Sequence, residues 1–327
     1  MNRRHLLASG AAGLALPAFL GRAAKAQAAW PDRPIRLIVP FPPGGGTDTV
    51  AREVSTRIAM ATGWTIVADN RPGAGGTIGL DVVAKAAPDG YTIGLGQTAN
   101  LAIAPALYPN LPFDPLRDLT PIGLVAQQPN IIVVARNSPI RDLAGLLAAA
   151  KARPGVLTAG HPGNGTVGHL GGEVMNASAG IDIVQVPYRG AGNVIADLLA
   201  GRIDVYSANP LSVKGVMESG DVRALAVTSP SRSSAFPDVP TVAELGYPAF
   251  EAMNWTGLVA PARLPAPILA RMSEEMRKML TSADLRARFT SEGSDVVSST
   301  PEEFRRHLDS EINKWGTLIR GANLRAT

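Results

Sequence analysis

The stretch "VPFPPGGGTDTVAR", residues 39–52, places the main constraint on this chain. A short apolar run over residues 35–39 stops at three glycines, and a helical pattern begins directly after them. Val50, Val54 and Ile58 recur every four residues and mark one helix face, with Gly63 as its stop. A strand, a tight turn and a helix form the repeating unit of layered α/β folds. The unit recurs. Further strands are expected at 65–68, 91–95, 131–135, 156–159, 183–186, 203–206 and 224–228. Helices are expected at 143–152, 167–177 and 193–200. Phe304, Leu308, Ile312, Trp315 and Ile319 form a last helical stripe that reads as packing. The expected class is α/β, with mainly parallel sheets and helices on both faces.

The N-terminus sets the expected compartment. Arg3 and Arg4 precede an apolar stretch from Leu6 to Leu20, and an Ala-x-Ala ending closes at Ala28. This is the pattern of a secretory signal peptide over residues 1–28, too short to span a bilayer as a helix. The arginine pair also fits twin-arginine export. Without the leader's four bases, 27 Lys and Arg face 27 Asp and Glu, so the mature chain is formally neutral. No basic footprint points to nucleic acid or to an anionic membrane. There is no cysteine, hence no disulfide and no catalytic thiol. About 299 remaining residues suggest two domains. Crossings are expected near 122–130 and 252–257. The first domain then comprises 29–126 and 254–327, and the second 127–253.

A second glycine turn matches the first. "GHPGNGTVGHL", residues 160–170, again follows a strand and precedes a helix. Thr47 and Thr166 are both N-cap candidates. A helix N-terminus offers unpaired N–H groups and partial positive charge to an anion, and glycine lets the anion reach the backbone. Two such turns across a cleft suit a small molecule with a carboxylate at each end. Two ordinary βα turns fit the same residues. Enzyme signatures are weaker. His161 and His169 lack a third metal ligand at useful spacing, and there is no G-x-S-x-G, S-x-x-K or nucleotide phosphate loop. No catalytic residue, cofactor or metal is assigned.

Several stretches together resemble one family. "VPFPPGGGTDTVAR", "NRPGAGGTIG", "PDGYTIGLG", "LYPNLPFDPLRDLTPIGLV", "VPYRGAGNVIADLLAGRIDV" and "FPDVPTVAELGYP" are similar, in order, to the tripartite tricarboxylate transporter receptors, also called Bug proteins. The resemblance implies a periplasmic binding protein of type II, two α/β domains around a ligand cleft, acting as a monomer. It implies no enzyme activity. It implies capture of a mono-, di- or tricarboxylate, an aromatic carboxylate or an acidic amino acid, for a membrane permease with large and small subunits. Mapped onto this chain, the first loop runs from Phe41 to Asp48. Gly45, Gly46 and Thr47 are expected to donate to a carboxylate, while Asp48 fixes the loop. Gln97, Thr98, Ala99 and Asn100 form a further segment after the strand at 91–95. Asn164, Gly165 and Thr166 form the loop of the second domain, with His169 one turn inside. Tyr188, Arg189 and Gly190 match a further turn, and Asp204 an acid in a later strand. Arg189 as a surface ion-pair partner, Tyr188 as core packing, His169 as a packing residue, and Asp204 as a turn support or an amino-group acceptor remain open readings. So do a secreted α/β hydrolase and a sensory receptor that signals to a membrane kinase.

Overall fold

The computed structural model describes residues 30–321 and residue 324. The leader expected over residues 1–28 lies outside them. The chain begins with β1 (Ile35–Val39), α1 (Gly46–Thr62), β2 (Ile66–Asn70), α2 (Thr77–Ala84) and β3 (Thr92–Gln97). A wide π turn over Thr98–Ile103 leads into α3 (Ala104–Leu107), then β4 (Leu119–Pro129). Next come β5 (Ile131–Ala135), α4 (Leu143–Ala152), β6 (Thr158–His161), α5 (Val167–Ala179), β7 (Val184–Pro187), α6 (Ala191–Leu199), β8 (Val205–Ala208), α7 (Pro210–Glu218) and β9 (Val222–Val227). The chain closes with β10 (Met253–Pro261), α8 (Ala266–Leu280), α9 (Ala283–Ser291), β11 (Asp295–Val296) and α10 (Pro301–Gly321).

Among the described residues these strands form two sheets, in the orders β11-β4-β10-β3-β1-β2 and β7-β6-β8-β5-β9. Only part of each is parallel. β1 pairs parallel with β2 and β3, and β6 with β7 and β8. β10 runs antiparallel to β3 and β4, and β5 antiparallel to β8 and β9. The expectation of mainly parallel sheets is therefore corrected, and the reason is topological. β4 leaves the first sheet for the second, and β10 returns from it. Two strands that pass in opposite senses and lie side by side must pair antiparallel.

Local chemistry explains the element ends. Val50, Val54 and Ile58 of α1 are buried, as their spacing requires. Gly63 ends that helix at φ 74°, and its N–H reaches Ala59 O. This left-handed stop favours glycine. The start differs from expectation. The cap of α1 is Gly45, not Thr47, and the Thr47 hydroxyl instead donates to Gln97 Oε1 at 2.8 Å.

The two crossings are tied together. Asn130 N donates to Thr228 Oγ1 at 2.7 Å, and that hydroxyl donates to Ala252 O at 2.6 Å. Thr228 N bonds Asn130 O, and Ala252 N bonds Thr228 O. Asn254 Nδ2 reaches Asn130 Oδ1 at 2.6 Å.

Candidate functional site

In a parallel βα unit the turn from strand to helix lies at the carboxyl edge of the sheet, and ligands bind there. Here these edges of both sheets border one cleft of about 360 Å³. Four helix N-termini line it: Gly45–Thr47 of α1, Thr166–Gly168 of α5, Gly190–Asn193 of α6, and Asn209 with Ser212 of α7. The N-termini differ in capping. Thr166 caps α5 by accepting from His169 N, and Asn209 caps α7 by accepting from Leu211 N. Gly45 and Gly190 cap α1 and α6 without any side-chain bond. The first N–H groups of a helix have no intrahelical acceptor, so α1 and α6 leave theirs to whatever enters the cleft. Gly190, at φ 104°, places this backbone directly after Arg189. Arg189 is, among the described residues, the one charged side chain lining the cleft, and it makes no ion pair there.

The acids near the cleft are engaged elsewhere. Asp48 is buried and accepts from Gly44 N at 3.0 Å, Arg52 Nε at 2.9 Å and Asn70 Nδ2 at 2.9 Å. Burial pushes its pKa up, but the donors from Arg52, Asn70 and Gly44 bring it below the ordinary value, so it stays charged and fixes the loop. Asp204 Oδ2 accepts from Thr158 N at 2.8 Å and Thr158 Oγ1 at 3.1 Å, away from the cleft. Asp197 receives the Tyr188 hydroxyl at 2.8 Å.

The structure brings Phe41, Gly45, Gly46, Thr47, Thr166, Arg189 and Gly190 to the cleft. Other expected contacts are displaced from its lining. Thr98 Oγ1 accepts from Trp255 N at 2.9 Å, and Asn100 Oδ1 accepts from Gln97 N at 2.9 Å. With Ala99 they are buried in the π turn. Asn164 O accepts from Tyr108 Oη, and a Cβ on Gly165 would lie 3.0 Å from Leu107 Cδ2. That loop therefore packs on α3. Of the turn Asn164–Thr166 only Thr166 lines the cleft, together with the turn Arg189–Gly192. Tyr188 supports that turn through Asp197 and does not line the cleft.

His169 packs. Its ring stacks on His161 with centroids 4.5 Å apart, and its Nδ1 accepts from Gly165 N at 3.2 Å. His161 Nδ1 bonds Gly163 O at 2.9 Å. Burial lowers both pKa values to about 4, and for His161 the neighbouring His169 adds to it. Among the described residues no three His, Asp or Glu side chains gather where a metal ion could sit.

Sequence reasoning missed the polar side chains of the cleft floor and walls. Asn130, Ser207, Asn209 and Asn254 line it together with Gln97. Gln97 belongs to the segment Gln97–Asn100 that the family resemblance marks after a strand, but the resemblance gives its side chain no role at the cleft. No local motif marks the rest, because they are scattered along the chain: Asn130 follows β4, Ser207 and Asn209 lie at the end of β8, and Asn254 lies at the start of β10.

Comparison with known proteins gives one result. The sequence profile of the tripartite tricarboxylate transporter family receptor matches residues 50–324. BugT of Bordetella pertussis is 38% identical over 299 residues, covering 90% of this chain and 92% of its own length. An R. palustris protein with adipate superposes with a TM-score of 0.88 at 32% identity, over 91% of this chain and 100% of its own. MatC from Rhodopseudomonas palustris with bound malate gives 0.83 at 32% identity, over 88% and 99%. By sequence and by fold, this chain belongs to the tripartite tricarboxylate transporter receptor family.

Proposed function

We propose that this chain is a periplasmic, non-enzymatic receptor that captures a small carboxylic acid between its two halves and delivers it to a membrane permease of large and small subunits. One observation carries the reading. Two helix N-termini without side-chain caps, α1 and α6, border a cleft whose lining has one arginine and, among the described residues, no acid. One carboxylate sits at Gly45–Thr47 and the other at Arg189–Gly192. Each partly buried helix terminus contributes up to ~2 kcal/mol, and each charged hydrogen bond about 1.5–3 kcal/mol. Several together reach the roughly −8 kcal/mol of micromolar binding. The adipate and malate held by two relatives are acids of this size. Residues 29–126 with 254–327 close against 127–253 about the crossings at Asn130 and Ala252, and the permease reads the closed surface.

The test is a thermal-shift screen of short dicarboxylates, followed by titration calorimetry. A true ligand at 100 times its Kd adds about 2.7 kcal/mol of stability. Deleting the gene should then abolish uptake of that acid. If no carboxylate shifts the melting curve, the reading fails. If the acid binds but its uptake survives the deletion, the sensory reading gains.

A further inference from the structure

The amide side chains of the cleft are oriented. Gln97 Oε1 already accepts from the Thr47 hydroxyl and from a backbone N–H of the π turn. Asn209 Oδ1 accepts from Leu211 N at 3.0 Å, and Asn130 Oδ1 from Asn254 Nδ2 at 2.6 Å. A backbone N–H can be met only by the oxygen of an amide, so these neighbours fix which atom faces where. The nitrogens of Gln97 and Asn209 are left toward the cleft. Asn209 Nδ2 and Oδ1 both lie 3.1 Å from where a Cβ on Gly46 would be, at the mouth of α1, and the oxygen is the one engaged by Leu211 N. Arg189 and the N–H groups of α1 and α6 complete the set. The side-chain acceptors left in the lining, among them the amide oxygens of Asn193, Asn209 and Asn254 and the hydroxyls of Ser207 and Ser212, are all neutral. The nearby carboxylates of Asp48, Asp197 and Asp204 are each held by other partners.

We propose that this cleft selects carboxylates without an amino group and rejects α-amino acids of the same length. An ionised carboxylate only accepts hydrogen bonds, so a wall of donors satisfies it fully. An ammonium group has three N–H donors and a positive charge. In this cleft it meets Arg189, two helix N-termini and outward-facing amide nitrogens, all of like polarity. It would lose its water and find at most neutral oxygens. Asp204, the acid that could have received an amino group, is turned onto Thr158.

This inference rests on the carboxylate-receptor reading, and the experiment separates the two. Calorimetry compares matched pairs that differ only by the amino group: succinate with aspartate, glutarate with glutamate, adipate with 2-aminoadipate. In at least one pair the plain acid should bind more than tenfold tighter, about 1.4 kcal/mol, and no amino acid should be preferred. Equal binding within every pair, or preference for an amino acid, overturns the inference and leaves the receptor reading standing. If none of the six binds, the reading on which the inference rests fails, and the inference with it. A second variant makes the comparison internal. Asn209→Asp keeps a capping oxygen on α7 but sets a charged acceptor beside Gly46. It should narrow the preference for the plain acid about tenfold, with the melting temperature tracked alongside. A folded variant with an unchanged ratio counts against a donor-walled cleft.

Discussion

Gly46 and Gly165 occupy matching places in the sequence, each just before a threonine at a helix start, yet their substitutions should fail in different ways. Gly46 is helical, and a Cβ there would come within 3.1 Å of the Asn209 side chain across the cleft. Gly46→Ala should leave the fold as stable or slightly more so, because alanine is the better helix former. It should weaken ligand binding more than tenfold, because α1 and α7 can no longer approach as closely. Gly165 has φ +76°, where an alanine costs about 1–2 kcal/mol before its contact with Leu107 is counted. Gly165→Ala should therefore lower stability in urea and change affinity less. Paired calorimetry and denaturation of the two variants decide this, and equal behaviour would sink the distinction. Arg189 gives the complementary case. It is exposed and unpaired among the described residues, so Arg189→Gln should keep the unfolding free energy within about 0.5 kcal/mol. It should lose about 1.5–3 kcal/mol of binding, read by the same titration. At this scale the sequence shows the glycines and the arginine, because they stand in turns between an apolar run and a helical pattern, inside stretches that match the family. It does not show the amide side chains, whose orientation depends on neighbours such as Thr47 and Leu211.

Among the elements, α5 joins the cleft to a buried pair of histidines. Its cap, Thr166, lines the cleft, while His169 one turn later stacks on His161 at the end of β6. Both folded-state pKa values, about 4, lie below the ordinary 6.5 because burial disfavours the charged form. A depressed folded pKa means that the unfolded chain binds the proton first. The stabilising effect is whole above pH 6.5 and is lost as pH falls toward 4. Each unit of depression is worth about 1.4 kcal/mol. Protonation of His169 Nδ1 would also release the Gly165 N–H. The melting temperature should fall steeply over this window. A variant carrying both His161→Gln and His169→Gln should show a flatter profile there, and an unaltered slope would assign the pH dependence to other groups. Elements differed in how plainly the sequence announced them. The short strands β1, β5 and β6 follow from apolar runs bounded by turn residues. The long strands β4 and β10 carry Pro121, Gly123 and Gly257, which interrupt the apolar pattern of a strand, so their sequence announces crossings more plainly than strands. Packing explains these residues. A Cβ on Gly123 would lie 2.1 Å from Met276 Cε, and one on Gly257 2.5 Å from Phe304 Cε1. The π turn after β3 has no sequence signal of its own, and it draws Thr98–Asn100 inward.

For the molecule as a whole, the decisive quantity is the cost of bringing the two halves together. The observed affinity of a receptor equals its intrinsic affinity scaled by the fraction of molecules already able to bind. Thr228 is placed to affect that fraction without touching ligand. It follows β9, lies off the cleft lining, and its hydroxyl joins Asn130 N on one crossing to Ala252 O on the other. Thr228→Val keeps the shape but leaves Asn130 N buried without its partner, which costs about 1–3 kcal/mol of stability. If the clasp also sets how the halves close, the variant should bind the same acid about three- to tenfold more weakly. Its ligand-free radius of gyration in X-ray scattering should rise, and saturating ligand should restore the parent value. The control is Arg189→Gln, which should lose affinity with no change in the ligand-free radius. A Thr228→Val protein that is less stable but binds and scatters like the parent would show that the clasp holds the crossings together and takes no part in closure.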